Sequence, residues 1–163
     1  MANTQSMATS FLGELMLAQH QLGASTIVSR GSLTAPTTDT LKAALYLTTA
    51  TINAATTVYS ATDEVSGTNY TAGGITVTNA TAPTSTNSSA TAGVGFFTPS
   101  ASFVYTSVTL ATAFDCVLLY NSTQSNKAIS VHTFGSQTIT AGTFTLTMPS
   151  NTTTTALLRL ATT

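Results

Sequence analysis

The chain has 163 residues, a length that fits one domain with a substantial core. Only 6% of the residues are charged and the formal net charge is −1, whereas about a quarter of the residues of an average soluble protein are charged. Nucleic acid and anionic membranes are therefore excluded as expected partners, because both are bound by clustered cations and this chain has four scattered ones, Arg30, Lys42, Lys127 and Arg159.

The first predicted element is an amphipathic helix over residues 9–22, where apolar side chains recur at steps of three and four residues. Residues 24–38 are rich in Ser, Thr, Gly and Pro and predict an extended arm. We therefore divide the chain into an N-terminal helix and arm, 1–38, and a β-domain, 39–163. The apolar stripe must be covered by the β-domain or by a neighbouring subunit, and the candidate partner-binding residues are Phe11, Leu15, Met16, Leu22, Ile27 and Val28.

No basic segment precedes the apolar residues near the first methionine, and Glu14 interrupts them. We therefore predict neither a secretory signal nor a membrane anchor.

From residue 39 onward the hydrophobic period changes to two, and β-branched and aromatic residues become frequent. Turn residues separate most of the short candidate strands, which lie at residues 41–48, 57–60, 74–79, 94–98, 102–110, 114–121, 127–134, 142–148 and 156–160. Short strands at this spacing predict an all-β fold, a jelly-roll-like antiparallel β-sandwich with two four-stranded sheets. The longest predicted loop covers residues 79–92.

The ionisable residues form no recognisable catalytic group, so we predict no enzyme activity, no cofactor and no metal. His20 is expected to be solvated, or stabilised by the helix dipole, near the end of the helix. His132 is expected to be an ordinary packed or surface sheet residue. Asp63 and Glu64 are a weak candidate for calcium. Asp115 is expected in a buried hydrogen-bond network or in an ion pair with Lys127.

Two further features are interpreted as structural. Cys116 lies in an apolar run, so burial is expected instead of reactivity. The aromatic residues are assigned to the core, and their use as a carbohydrate-stacking platform, tested at Phe96 and Phe97, remains an alternative.

Three stretches resemble a widespread group of small virion proteins of tailed bacteriophages: TDTLKAALYL at 38–47, TDEVSGTNYTAGGITVTN at 62–79, and FDCVLLYNSTQSNKAISVHTFGSQTITAGTFTLTMP at 114–149. The chain matches the pattern of that group at Asp39, Lys42, Ala44, Leu45, Tyr46, Glu64, Val65, Gly67, Tyr70, Gly73, Gly74, Tyr120, Asn121, Gly142, Phe144 and Arg159. It departs from the pattern at Asn69, Leu119 and Leu158.

The resemblance implies a component of the virion, made in the bacterial host cytoplasm, and it carries over no catalytic residue. Within the particle we expect a capsid decoration or cement protein on the head surface, whose partners are the major capsid protein and copies of itself, in a trimer or a dimer. The alternatives are a tail or fibre subunit that contacts the host through residues 79–92, and a carbohydrate-binding module.

Overall fold

A computed structural model describes residues 3–16, 19–23, 37–86 and 93–161. Eight strands and one helix are present in these ranges: β1 (Ser6–Met7), α1 (Thr9–Met16), β2 (Leu41–Leu47), β3 (Ile75–Thr76), β4 (Thr84–Ser85), β5 (Val94–Phe97), β6 (Phe103–Asn121), β7 (Lys127–Leu146) and β8 (Leu158–Ala161). None of the helical structure in these ranges is long and apolar enough to cross a membrane.

The all-β prediction is confirmed. One sheet has five strands in the order β1-β7-β6-β2-β3, the other has three in the order β4-β5-β8, and neighbouring strands are antiparallel throughout. The described strands divide five and three instead of four and four, so the jelly-roll arrangement stays a prediction. Phe97 of β5 and Leu158 of β8 belong to the same buried cluster as the larger sheet, so the two sheets share one hydrophobic core, as in a β-sandwich.

The dominant element is a hairpin of two long strands, β6 and β7, each of which fuses two predicted strands. The turn residues predicted to break them do not end the strands. Ala141 instead adopts a positive φ of 47°, and the pairing between β6 and β7 shifts register at several points. Bulges of this kind absorb an extra residue and bend a strand without ending it.

The core lies on the central strands β2 and β6. Residues 116–121 of β6 are all buried, so both faces of the sheet are covered at this point, as the nearly continuous apolar run predicts. Cys116 is fully buried there, as expected, and burial together with the neighbouring Asp115 raises the pKa of its thiol to about 12. The Cys116 thiol is therefore unreactive at neutral pH.

The helix is shorter than predicted, ending at Met16 instead of continuing to residue 22. The cause is tertiary pairing: the backbone of Gln21 accepts a hydrogen bond from the Asp39 amide at 3.0 Å, and the Gln21 amide donates to Asp39 Oδ2 at 2.9 Å. These bonds hold residue 21 in an extended conformation beside the start of the β-domain. Ala8 and Phe11 are buried in the shared core, and β1 pairs with β7, so the described N-terminal residues pack as part of the β-domain.

Two predicted strands are largely absent. The stretch 57–60 contributes only an isolated bridge between Val58 and Lys127, and 74–79 forms only the two-residue β3. The chain between them, residues 59–73, is a loop whose backbone groups bond to side chains as well as to strands. Most of the predicted arm, residues 24–36, lies outside the described residues, as does 87–92 of the predicted loop.

Candidate functional site

A buried polar network joins the N-terminal segment to the central sheet. Glu14 on α1 accepts a hydrogen bond from Lys127 Nζ at 2.7 Å and lies 2.7 Å from His20 Nε2. Burial raises the pKa of the Glu14 carboxyl, but the hydrogen bonds from Lys127 and His20 and the positive charge of Lys127 outweigh it, so the net shift is downward. The charged Glu14 carboxylate therefore links α1 to β7 through its ion pair with Lys127.

The network continues from His20 into β6. Asn121 Nδ2 lies 3.0 Å from His20 Nδ1 and donates to Asp39 Oδ2 at 2.6 Å. Its Oδ1 accepts the amides of Thr123 and Gln124, both at 3.1 Å, which fixes the orientation of the Asn121 amide. With Asn121 donating to Nδ1, the His20 ring carries its proton on Nε2 and donates it to Glu14.

These contacts overturn two predictions. His20 is 9% exposed and bonded on both ring nitrogens, so the solvated role expected for it is wrong. The ion pair between Asp115 and Lys127 is also wrong, because Lys127 is drawn to Glu14. Asp115 instead accepts a hydrogen bond from Asn3 Nδ2 at 2.6 Å, in agreement with the network alternative.

A second buried carboxylate, Glu64, is surrounded by tyrosines. Tyr59 and Tyr70 donate their hydroxyls to its two oxygens at 2.6 and 2.7 Å, and the Gly73 amide donates at 2.8 Å. Glu64 is therefore saturated with donors, and Asp63 beside it is exposed. A cation shared between these two carboxylates would have to displace the hydroxyls.

All five tyrosines of the chain lie near Glu64. Burial, reinforced by the negative charge of Glu64, raises the pKa of every one of them, that of Tyr120 to about 12. The rings also pack on one another: Tyr59 stacks on Tyr120 with centroids 4.7 Å apart, and Tyr70 on Tyr105 at 6.0 Å. The cluster therefore holds the 59–73 loop against β2 and β6.

Ser130 and His132 form a third polar pair, on one face of β7. Ser130 Oγ lies 2.8 Å from His132 Nε2, a distance typical of a nucleophile and its base. Ser130 is only 1% exposed, and no acidic side chain is assigned to the other ring nitrogen among the described contacts of this pair. Burial lowers the pKa of His132 to about 4. A structural role in the sheet accounts for the pair.

An apolar groove lies between the N-terminal segment and the smaller sheet, with a volume of about 370 Å³. We call it the β8 groove. Its apolar lining comes from α1, the 20–23 segment, β5 and β8, and includes Phe11, Leu15, Leu22, Phe96, Phe97 and Leu158. A cleft of this size with a mainly apolar lining is typical of binding sites.

The groove brings together three of the predicted partner-binding residues. Phe11 and Leu22 form its floor and are buried, at 1% and 7% exposure, while Leu15 is half-buried. Met16 is the last residue of α1, and Ile27 and Val28 lie outside the described residues. The apolar stripe of the helix is thus covered largely by other residues of the chain. A partner could reach it only through the open side of the groove.

Sequence reasoning missed the opposite wall of the groove. Gly95 and Phe96 of β5 and Arg159 and Leu160 of β8 line it, and Leu160 is 42% exposed. Arg159 is exposed and makes no ion pair with the described residues, whereas Lys127 is paired with Glu14. The only sequence signal is an arginine between two leucines near residue 160, which does not identify a groove without the pairing of β8 to β5.

No group of three or more His, Cys, Asp or Glu side chains within the described ranges is placed to hold a metal ion. Comparison with known proteins finds no matching family model, no similar curated protein and no similar solved structure. The function is therefore inferred from the geometry of the site and from the sequence resemblance.

Proposed function

We propose that the chain is a structural protein of a tailed-bacteriophage virion and that it decorates the capsid, binding the lattice of the major capsid protein on the head surface. The observation that carries this proposal is the β8 groove: an apolar cleft with a half-open rim, on a chain with only 6% charged residues. Such a surface fits adhesion to another protein.

The polar chemistry of the chain supports the same role. The buried carboxylates Glu14 and Glu64 are engaged by cations, hydroxyls and amides within the fold. These groups lock the N-terminal segment and the 59–73 loop to the sheet and leave a rigid outer surface. A cement protein works by such a surface, because many copies multiply a modest contribution from each.

The low charge also suits dense packing. Identical copies on a shell repel one another less when each carries a net charge of −1 and few charged side chains. Association with copies of itself, as a trimer or a dimer, is part of the proposal.

A carbohydrate-binding module is less well supported. The rings expected to stack on a sugar are those of Phe96 and Phe97. Phe97 is only 2% exposed, so its ring is not available for stacking. A tail or fibre location remains the principal alternative within the virion.

The test is to mix the purified protein with heads of the parent phage that lack it. We expect saturable, stoichiometric binding that raises the temperature at which the heads release DNA. Absence of binding to such heads, under conditions where the native virion retains the protein, would contradict the proposal. Serum albumin at equal concentration serves as the control for nonspecific adsorption.

A further inference from the structure

We propose that the β8 groove and the outer edge of β8 together dock an extended segment of a partner protein, with an apolar side chain in the groove and a carboxylate on Arg159. The inference rests on the proposed function, in which that partner is the major capsid protein. It adds the surface used and the chemistry recognised.

The first support is the open edge of β8. On the β4 side of β5, the Thr86 amide donates to the Val94 carbonyl and the Val94 amide donates to Thr86 Oγ1, both at 3.0 Å. Because backbone groups alternate along a strand, Gly95 and Phe97 face β8, and their partners Leu160 and Leu158 face β5. The amide and carbonyl of Arg159 then point to the outer edge, where no described strand pairs with β8.

That edge opens on a second cleft, of about 270 Å³, lined by residues of β1, β7 and β8. Arg159 lines both this cleft and the β8 groove. A partner strand added beside β8 would therefore form hydrogen bonds with the Arg159 backbone in the second cleft. The side chains of that strand would reach the apolar lining of the β8 groove. Strand addition of this kind combines backbone pairing with side-chain pockets.

The second support is charge complementarity. Arg159 is an exposed guanidinium with no ion-pair partner among the described residues, and it stands beside an apolar surface that includes Leu160, 42% exposed. A guanidinium binds a carboxylate through two parallel hydrogen bonds. The ligand that matches both features is an apolar segment that carries an acidic group.

A second copy of this chain matches poorly as the donor. Of the five acidic residues, four already accept hydrogen bonds within the fold: Glu14, Asp39, Glu64 and Asp115. The fifth, Asp63, lies in a turn with a φ of 59°, so it cannot present its carboxylate from an extended strand. The observations therefore favour a different protein as the occupant.

Two substitutions test the site from opposite sides. Gly95→Leu adds a side chain at the lining of the groove, where a Cβ has no neighbour closer than 3.9 Å. Arg159→Gln removes the charge and keeps most of the side chain. Lys42→Gln is the matched control, because it removes a cation outside the groove lining.

The main measurement is the occupancy of heads lacking the protein. We expect Arg159→Gln to weaken binding about tenfold or more, as is typical when a charged hydrogen bond is lost. We expect Gly95→Leu to weaken binding as well, because its side chain occupies space in the groove, and Lys42→Gln to bind like the original chain. Circular dichroism and thermal unfolding must show all three variants folded. Wild-type occupancy by both groove variants would overturn the docking proposal and leave the proposed function intact.

A second arm does not depend on heads and uses decanoate, a minimal apolar chain with a carboxylate. We expect decanoate to shift the methyl NMR signals of Leu15, Leu158 and Leu160, decanol to bind more weakly, and the shifts to disappear in Gly95→Leu. If the original chain binds no heads, the proposed function fails. If the original chain also shows no decanoate shifts, the docking proposal is overturned as well. Loss of a wild-type oligomer in Arg159→Gln, seen by sedimentation, would identify a second copy as the occupant and would also overturn it.

Discussion

His20 Nε2 lies 2.7 Å from Glu14 Oε2, and this contact starts a chain of hydrogen bonds that crosses the core through Asn121 to Asp39. These hydrogen bonds join His20 to Asn121, which are 101 positions apart in the sequence. It holds the N-terminal segment on the sheet and thereby forms one wall of the β8 groove, since His20, Gln21 and Leu22 line that groove.

The central position of Asn121 makes it the most sensitive member of this network. Asn121→Ala removes the donor to buried His20 Nδ1 and the acceptor of the Thr123 and Gln124 amides, while Asp39 keeps its bond from the Gln21 amide. We expect a loss of about 2–4 kcal/mol in the free energy of unfolding. Urea denaturation followed by circular dichroism measures it. Ser122→Ala is the control, because its hydroxyl bonds to Thr40 at an exposed position. Equal stability of the two variants would show that the network contributes little.

Gly74 is required by the close approach of its backbone to β2. Its φ is +69°, and a Cβ there would lie 1.8 Å from the Ala43 carbonyl oxygen. We expect Gly74→Ala to destabilise the fold by more than about 2 kcal/mol, because the backbone strain and the steric clash add. Gly135→Ala is the matched control, since nothing lies within 4 Å of a Cβ at that position. Thermal unfolding of the two variants gives the comparison, and similar midpoints would refute the clash.

The tyrosine cluster predicts resistance to alkaline ionisation. Burial and Glu64 raise the pKa of Tyr120 to about 12, above the value of about 10 for an unfolded tyrosine. The folded state therefore holds its protons more tightly between these values, so its stability is full below about pH 10 and falls as the pH rises toward 12. Phenolate absorbance during a pH titration measures this ionisation.

Substitution of the carboxylate separates the two causes of this shift. In Glu64→Gln the negative charge is gone, so we expect phenolate absorbance to begin at a lower pH than in the original chain. Phenolate formation near pH 10 in the original chain, with circular dichroism unchanged, would contradict the buried cluster.

His132 predicts a loss of stability in mild acid. Burial lowers its pKa to about 4 in the folded state, below the value of about 6.5 in an unfolded chain. The unfolded state therefore binds more protons between these values, and stability falls as the pH is lowered from about 6.5 to 4, with a slope of at most about 1.4 kcal/mol per pH unit from this residue.

The difference between the original chain and His132→Gln isolates this contribution from that of Glu14, whose lowered pKa also makes the fold acid-sensitive. We expect a shallower decline in His132→Gln when urea midpoints are compared across this pH range. Parallel curves would show that His132 is already solvated in the fold.

The pattern of apolar residues was sufficient for the central strands but not for the site. The alternating and continuous apolar runs around residues 41–48 and 114–121 predicted β2 and the inner half of β6 closely, because local periodicity reflects which face is buried. Strand lengths in the hairpin were missed, since bulges let turn residues stay within β6 and β7. The role of His20 was missed because its partner Asn121 is 101 positions away. The role of Glu64 was missed because its bonds to Tyr59 and Tyr70 depend on how the 59–73 loop folds, which has no periodic pattern.

The groove shows the same limit. The sequence indicated an apolar stripe that needs a cover, and Phe11, Leu15 and Leu22 do meet at one place. The smaller sheet forms the opposite wall of the groove and carries Arg159 there, and this placement depends on long-range pairing between β5 and β8. Such pairing leaves no local signal in a single sequence.

A cryo-electron microscopy reconstruction of the virion tests most directly the proposal that this chain coats a phage head through the β8 groove. We expect density for this fold on the outer surface of the head, with β8 and its groove against the major capsid protein. Density at the tail tip, or on the head with the groove facing solvent, would contradict it.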